Sequence, residues 1–382
     1  MSATPILDLE EPVPQPRSRW FSIVIGLLIG LAIGAALILA DQGFLPDWGL
    51  PSFNGLLLIP ALYAAITIHE VGHLLAAVLV GFAIGTLGIG GFVVSKCSGR
   101  WRFSFDRRRA LAGYFRPLTK ATDFDVRRFA LMVAGGPVAS ILLSAACIAL
   151  WTRVGDGRWS WLGTFVWVAF FLVVMSLVPF STGLTRSDGA RLLQLLRDAD
   201  APRRWMALIA LQTEEANGVR PSRWDPALVR EILQMNESAP EYPFCQLMAY
   251  YRCLDTGSEE QALVHLESAL SRSKSCGNVF RHALFLEAAS ASALLRKQAK
   301  QARAWRDRAH KLSKPKLPSV CEAGIAMCEG RYEEAVRHWQ TAQAYIAKRK
   351  LDSGLIRFAS EKWAEKEAEC HLAMAERAVW VR

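Results

Sequence analysis

Charge is scarce in this sequence. Asp, Glu, Lys and Arg make up 21% of 382 residues and hydrophobic types 52%, against about 25% charged in an ordinary soluble domain. A fully soluble chain is therefore disfavoured, and the deficit is concentrated in residues 20–180. Cysteine pairs of the CxxC kind are missing. Of eight cysteines only Cys97 and Cys147 precede Cys245, which argues against a Cys-ligated zinc site or a disulfide framework. Histidine is absent between His73 and His265, and glutamate between Glu70 and Glu214. Any metal site in the first half must draw on few donors.

What is there instead is long apolar runs. Four are long enough to cross about 30 Å of hydrocarbon as helices: Trp20 to Ala40, Gly55 to Gly81, Phe129 to Trp151 and Trp159 to Phe180. A tail over residues 1–19, with Pro5, Pro12, Pro14 and Pro16, reads as disordered. The loop after the first run has Asp41 and Asp47 and no basic residue, whereas residues 95–128 carry Lys96, Arg100, Arg102, Arg107, Arg108, Arg109, Arg116, Lys120, Arg127 and Arg128. The positive-inside tendency then predicts a multi-pass protein of the plasma membrane, if bacterial, with both termini cytosolic. The net charge of +10, from 45 basic and 35 acidic residues, follows from that topology and from attraction to anionic lipid, so no nucleic-acid partner is expected.

Within the second run, His69, Glu70, Val71, Gly72 and His73 spell HExxH. On a helix, positions i and i+4 share one face, so both imidazoles reach one zinc ion and the glutamate between them serves as general base. Ionisable side chains at bilayer depth are costly enough to need such compensation. The histidine gap excludes HExxHxxGxxH, and the glutamate gap excludes a downstream helical Glu ligand. The third ligand then falls to an aspartate. Asp106, Asp123, Asp125 and Asp188 lie on the predicted inner side. His73 is eight residues short of Gly81, roughly 12 Å below the inner surface at 1.5 Å per helical residue. Pro179 ends the fourth run, and the polar segment STGLTRSDG, Ser181 to Gly189, is long enough to dip back to that depth. This favours Asp188, which also suits the N-cap of the helix that follows.

HEVGH in one span, GGPVAS from Gly135 to Ser140 opening the next, and SDG from Ser187 to Gly189 after a further span resemble the three signatures of the site-2 protease family of intramembrane zinc metalloproteases. The resemblance covers about residues 55–200. It implies His69, His73 and Asp188 as zinc ligands, Glu70 as the catalytic base, and Gly136 with Ser140 as a GxxxS element near the transition state. The loop before Asp188 is longer than the family's, and Ser140 stands where asparagine is common. GTLGIGGFVVS (Gly85 to Ser95) and RWRFSF (Arg100 to Phe105) alternate and read as short strands. The family's small sheet beside the zinc implies an edge for an unwound substrate.

From about residue 201 to 382 the chain reads as a soluble, cytosolic helical-repeat domain. Turn-plus-helix elements recur at Asp255 to Leu270, Arg296 to His310 and Glu329 to Gln343, with a small residue at Ala262, Ala302 and Ala335. These elements are similar to tetratricopeptide repeats. The expected whole is a mainly α polytopic membrane protein of about four spans with a short sheet element. Its expected function is zinc-dependent cleavage of substrate transmembrane segments near the cytosolic face, with the repeats binding substrate or a cytosolic partner. The alternatives are a membrane-anchored scaffold with a vestigial metal site and a zinc hydrolase acting on a small or lipidic substrate.

Overall fold

The computed structural model describes residues 54–97, 100–107, 110, 112–118, 125–154, 161–182, 185–198, 201–312, 320–349 and 352–380. The tail over 1–19, the run Trp20 to Ala40, and Asp41, Asp47 and Asp123 lie outside these. Among the described residues the fold is mainly helical, with thirteen helices and a small antiparallel sheet.

Helix α1 (Leu58–Leu79) follows a short 3-10 turn and carries HExxH. Strands β1 (Ala83–Ile89), β2 (Phe92–Cys97), β3 (Arg100–Phe105) and β4 (Gly113–Leu118) form a sheet in the order β3-β2-β1-β4. Gly90 and Gly91, both at positive φ, form the two-residue β1–β2 turn, a conformation open to glycine at little steric cost. The expected strands at 85–95 and 100–105 correspond to β1, β2 and β3; β4 extends the sheet and was not foreseen, because GYFRPL combines a glycine and a proline that weaken the strand signal.

Helix α2 (Val126–Val154) is the longest of the apolar helices and α3 (Trp161–Leu177) follows it. Among the described residues two helices, spanning 55–79 and 126–154, are long and apolar enough to cross a membrane. Helix α3 has 17 residues and is shorter than the expected 159–180 run, because Pro179 cannot continue the helix. A two-stranded hairpin, β5 (Ser181–Thr182) and β6 (Thr185–Arg186), occupies the STGLTR segment before helix α4 (Asp188–Arg197).

Helices α1 and α2 cross where both lack side chains. A Cβ on Gly72 would fall 2.4 Å from the Gly135 carbonyl, and one on Gly135 would fall 2.5 Å from the Gly72 carbonyl. The backbones touch at a point one residue from His73. Small-residue contacts of this kind bring helices together where apolar surroundings give no net hydrophobic drive.

The remaining helices are α5 (Ala201–Ala216), α6 (Pro226–Leu233), α7 (Tyr242–Asp255), α8 (Glu259–Ser271), α9 (Asn278–Leu294), α10 (Ala299–Leu312), α11 (Val320–Cys328), α12 (Tyr332–Arg349) and α13 (Gly354–Trp380). Helix α5 is buried on two faces. Met206 and Ile209 pack with Ala77, Phe82, Phe129 and Met132, while Leu208 and Leu211 pack with Trp224, Leu228 and Ile232. It therefore joins the apolar half to the repeats. Helices α7–α8, α9–α10 and α11–α12 pack as consecutive hairpins. Gly257, Lys297 and Gly330 adopt positive φ in the three turns, each five residues before Ala262, Ala302 and Ala335, which are fully buried.

Candidate metal centre

The two histidines arise from successive turns of α1, and Asp188 from the first turn of α4. His69 Nε2 and His73 Nε2 are 3.2 Å apart, and Asp188 Oδ2 lies 3.1 Å from the first and 3.3 Å from the second. The rings are nearly perpendicular, at 86°. Tetrahedral donors held at about 2.0–2.1 Å from one zinc ion stand roughly 3.3 Å from each other. All three edges of the triangle match that spacing.

The tautomers strengthen the case. His73 Nδ1 lies 2.9 Å from the Met132 carbonyl, which only accepts, and 3.3 Å from Gly136 N, which only donates; the shorter contact favours the neutral ring with its proton on Nδ1 and its lone pair on Nε2. His69 Nδ1 is 2.8 Å from Ser140 Oγ; a hydroxyl either donates or accepts, and with Nδ1 donating to it the Nε2 lone pair faces inward. Two lone pairs and a carboxylate oxygen then converge, an arrangement that repels itself unless a cation lies between them. A partner fixing the outer nitrogen of each imidazole is the usual support of a metal-bound histidine. The residues present thus fit a divalent cation; the donor set of two nitrogens and one oxygen is that of zinc hydrolases.

Asp188 is placed by its neighbours. Ser187, not Asp188, caps α4: its Oγ accepts from Ala190 N at 3.2 Å and Phe180 N at 3.1 Å, and donates to the Val178 carbonyl at 2.7 Å. Three bonds from one hydroxyl fasten the start of α4 to the end of α3. A Cβ on Gly189 would fall 1.8 Å from the Leu177 carbonyl, so the two helices meet too closely there for any side chain.

Glu70 is buried beside this cluster, 6% exposed, and its Oε2 has no hydrogen-bond partner among the described residues. An orphaned buried carboxylate oxygen costs stability. Gly113 of β4 lies directly against it, since a Cβ there would sit 2.4 Å from Glu70 Oε1. The sheet is thereby brought to the carboxylate.

The GxxxS element also has a physical role here. Ser140 is fully buried against His69, and a Cβ on Gly136 would fall 2.3 Å from His73 Nε2. Ser140 orients one ligand and Gly136 leaves space for the other. The sequence reading missed two residues, Met132 and Gly113. No sequence signal marks the first: Pro137 lacks an N–H but thereby frees the Val133 carbonyl four residues earlier, not that of Met132. Among the other inner aspartates, Asp106 and Asp125 are not in the cluster, and Asp125 instead accepts from Arg127 N at the start of α2. The histidines of the second half are dispersed. Compared with protein-family models, curated proteins and solved structures, the chain matches none of them.

Proposed function

We propose that this chain is an integral membrane zinc metalloendopeptidase of the site-2 protease type, cutting substrate transmembrane segments near the cytosolic face. One observation carries the reading: a His69–His73–Asp188 triangle of metal-ligand dimensions and an unsatisfied Glu70 carboxylate share a buried site on a helix of membrane-spanning length. A purely structural metal site has no need of a buried base.

His69, His73 and Asp188 would hold the ion. Zinc bound there supplies a water of near-neutral pKa and polarises a scissile carbonyl. Glu70 is the base: its free Oε2 takes the proton of the attacking water and later passes it to the leaving amine nitrogen. Ser140 is committed to His69, so its part is to fix that ligand rather than to bind a reacting carbonyl. The edge strand β4, with Gly113 at Glu70, offers a place beside the base for a substrate that has left its helical form, since an extended peptide exposes the bond a helix shields. The topology of about four spans, inward termini and cytosolic repeats belong to this proposal, as does recruitment of substrate or a protein partner by the helical hairpins.

The experiment is zinc stoichiometry on the purified protein together with cleavage of a test transmembrane substrate by wild type and Glu70→Gln. The expected result is one zinc in both and a loss of about 1,000-fold or more in cleavage for the variant, within the range of removing a general base. Equal cleavage by the two would overturn the protease reading.

A further inference from the structure

Asp188 does not meet its surroundings alone. Two residues before it, Arg186 Nε lies 3.3 Å from Glu241 Oε1, and Arg186 Nη1 donates to Gln194 Oε1 at 2.6 Å. One helical turn after it, Arg191 has its guanidinium carbon 5.2 Å from the centre of the Trp205 ring, and its Nε is buried without a hydrogen-bond partner. Burial pulls the Arg191 guanidinium down from its ordinary value, and the charges of Asp188 and then Glu241 oppose that. Glu241 is 4% exposed and immediately precedes α7, the first helix of the repeat hairpins. Two guanidiniums and two carboxylates therefore share one desolvated region, three on the ligand helix and its approach and the fourth from the hairpins, with the charge of Glu70 also acting on Arg191.

The balance matters because a dication must bind at one edge of it. Without Glu241, Arg186 would lose its ion pair and Arg191 would keep only the charges of Asp188 and Glu70, and Asp188 is the carboxylate that a metal needs. Coulombic terms at such buried positions are poorly screened by salt. We infer that Glu241 of the repeat domain supplies the charge that frees Asp188 for the metal, acting through Arg186 and Arg191 while touching neither metal nor substrate. The metal centre of one half of the chain is completed electrostatically by the other. This inference rests on the metal site proposed above.

The test is zinc affinity of the full chain in detergent, read by competition with a chromogenic chelator and without substrate. Glu241→Gln keeps the size and loses the charge, and should weaken zinc binding about tenfold, the lower end of effects seen for residues behind metal ligands. Glu241→Asp keeps the charge and should lie closer to wild type. Arg186→Gln removes a positive charge and should bind zinc no more weakly than wild type, an outcome that a merely structural pair would not give and that remains readable if Glu241→Gln does not fold. Glu237→Gln, in an exposed pair with Arg272, is the neutral control. Wild-type affinity in Glu241→Gln, a weaker Asp than Gln variant, or a weakened Arg186→Gln would each overturn the inference. A wild type that binds zinc and cuts nothing defeats the protease reading alone; one that binds no zinc defeats both.

Discussion

At the scale of single residues, the site separates ligands from the groups that aim them. Ser140 is a small hydroxyl, fully buried and hydrogen-bonded to His69 Nδ1. Ser140→Ala should weaken zinc about 10- to 100-fold with the fold intact, as measured by chelator competition alongside thermal melting; unchanged affinity would mean that helix packing alone orients His69. How much of this was legible in sequence differs by residue. His69, Glu70 and His73 declare themselves because a metal-binding pair at i and i+4 is a local pattern. Asp188 was reachable only by excluding other donors, since its proximity to His69 depends on a chain reversal 119 positions away. The role of the Met132 carbonyl was not legible at all, because a backbone oxygen has no identity in a sequence.

Among the elements, the short helix α4 is the one whose placement decides the site. Its start is pinned by Ser187 and by the bare Gly189 against the Leu177 carbonyl. Gly189→Ala should push α4 off α3, carry Asp188 from the imidazoles and reduce zinc affinity by more than about tenfold, while metal-free protein still folds. The hairpin turns give a second expectation. Lys297 stands at φ 55, where the corresponding turns have Gly257 and Gly330. A side chain in the left-handed region costs about 1–2 kcal/mol, part of which is offset by the greater unfolded-state entropy of glycine. Lys297→Gly should therefore stabilise the repeats by up to about 1 kcal/mol in urea unfolding. The hairpins were legible because a turn and a small residue recur in fixed relation. The β4 strand was not, since its reason for being straight lies in its partner β1 rather than in GYFRPL.

At the scale of the whole molecule, the repeats are held to their connecting segment by charge as well as by packing. Asp255 is buried, 2% exposed at its side chain, and accepts from Arg220 Nη2 at 2.6 Å and from Ser222 N at 2.8 Å. Burial pushes its carboxyl up, but the bonds to Arg220 and Ser222 prevail and lower it below its ordinary value. The sign follows: the folded form prefers the charged carboxylate, so this stabilisation is complete above the unfolded-state value of about 3.9 and is lost as pH falls through the lower folded value. Asp255→Asn should cost about 2 kcal/mol at neutral pH, and the gap in melting temperature between wild type and variant should close on acidification below about pH 4. A gap that stays constant with pH would rule out the ionic origin.

The contact of Gly72 with Gly135 has a mechanical consequence for such a molecule. Two rods that touch at one point pivot about it, so a change of tilt swings their ends and leaves the contact nearly still. A helix shifts its tilt whenever bilayer thickness changes, and His73 sits one residue from the pivot. In a membrane the candidate ligands would thus sit at the place along α1 that such swinging disturbs least, which would insulate the His69–His73 spacing from the mechanics of the surrounding lipid.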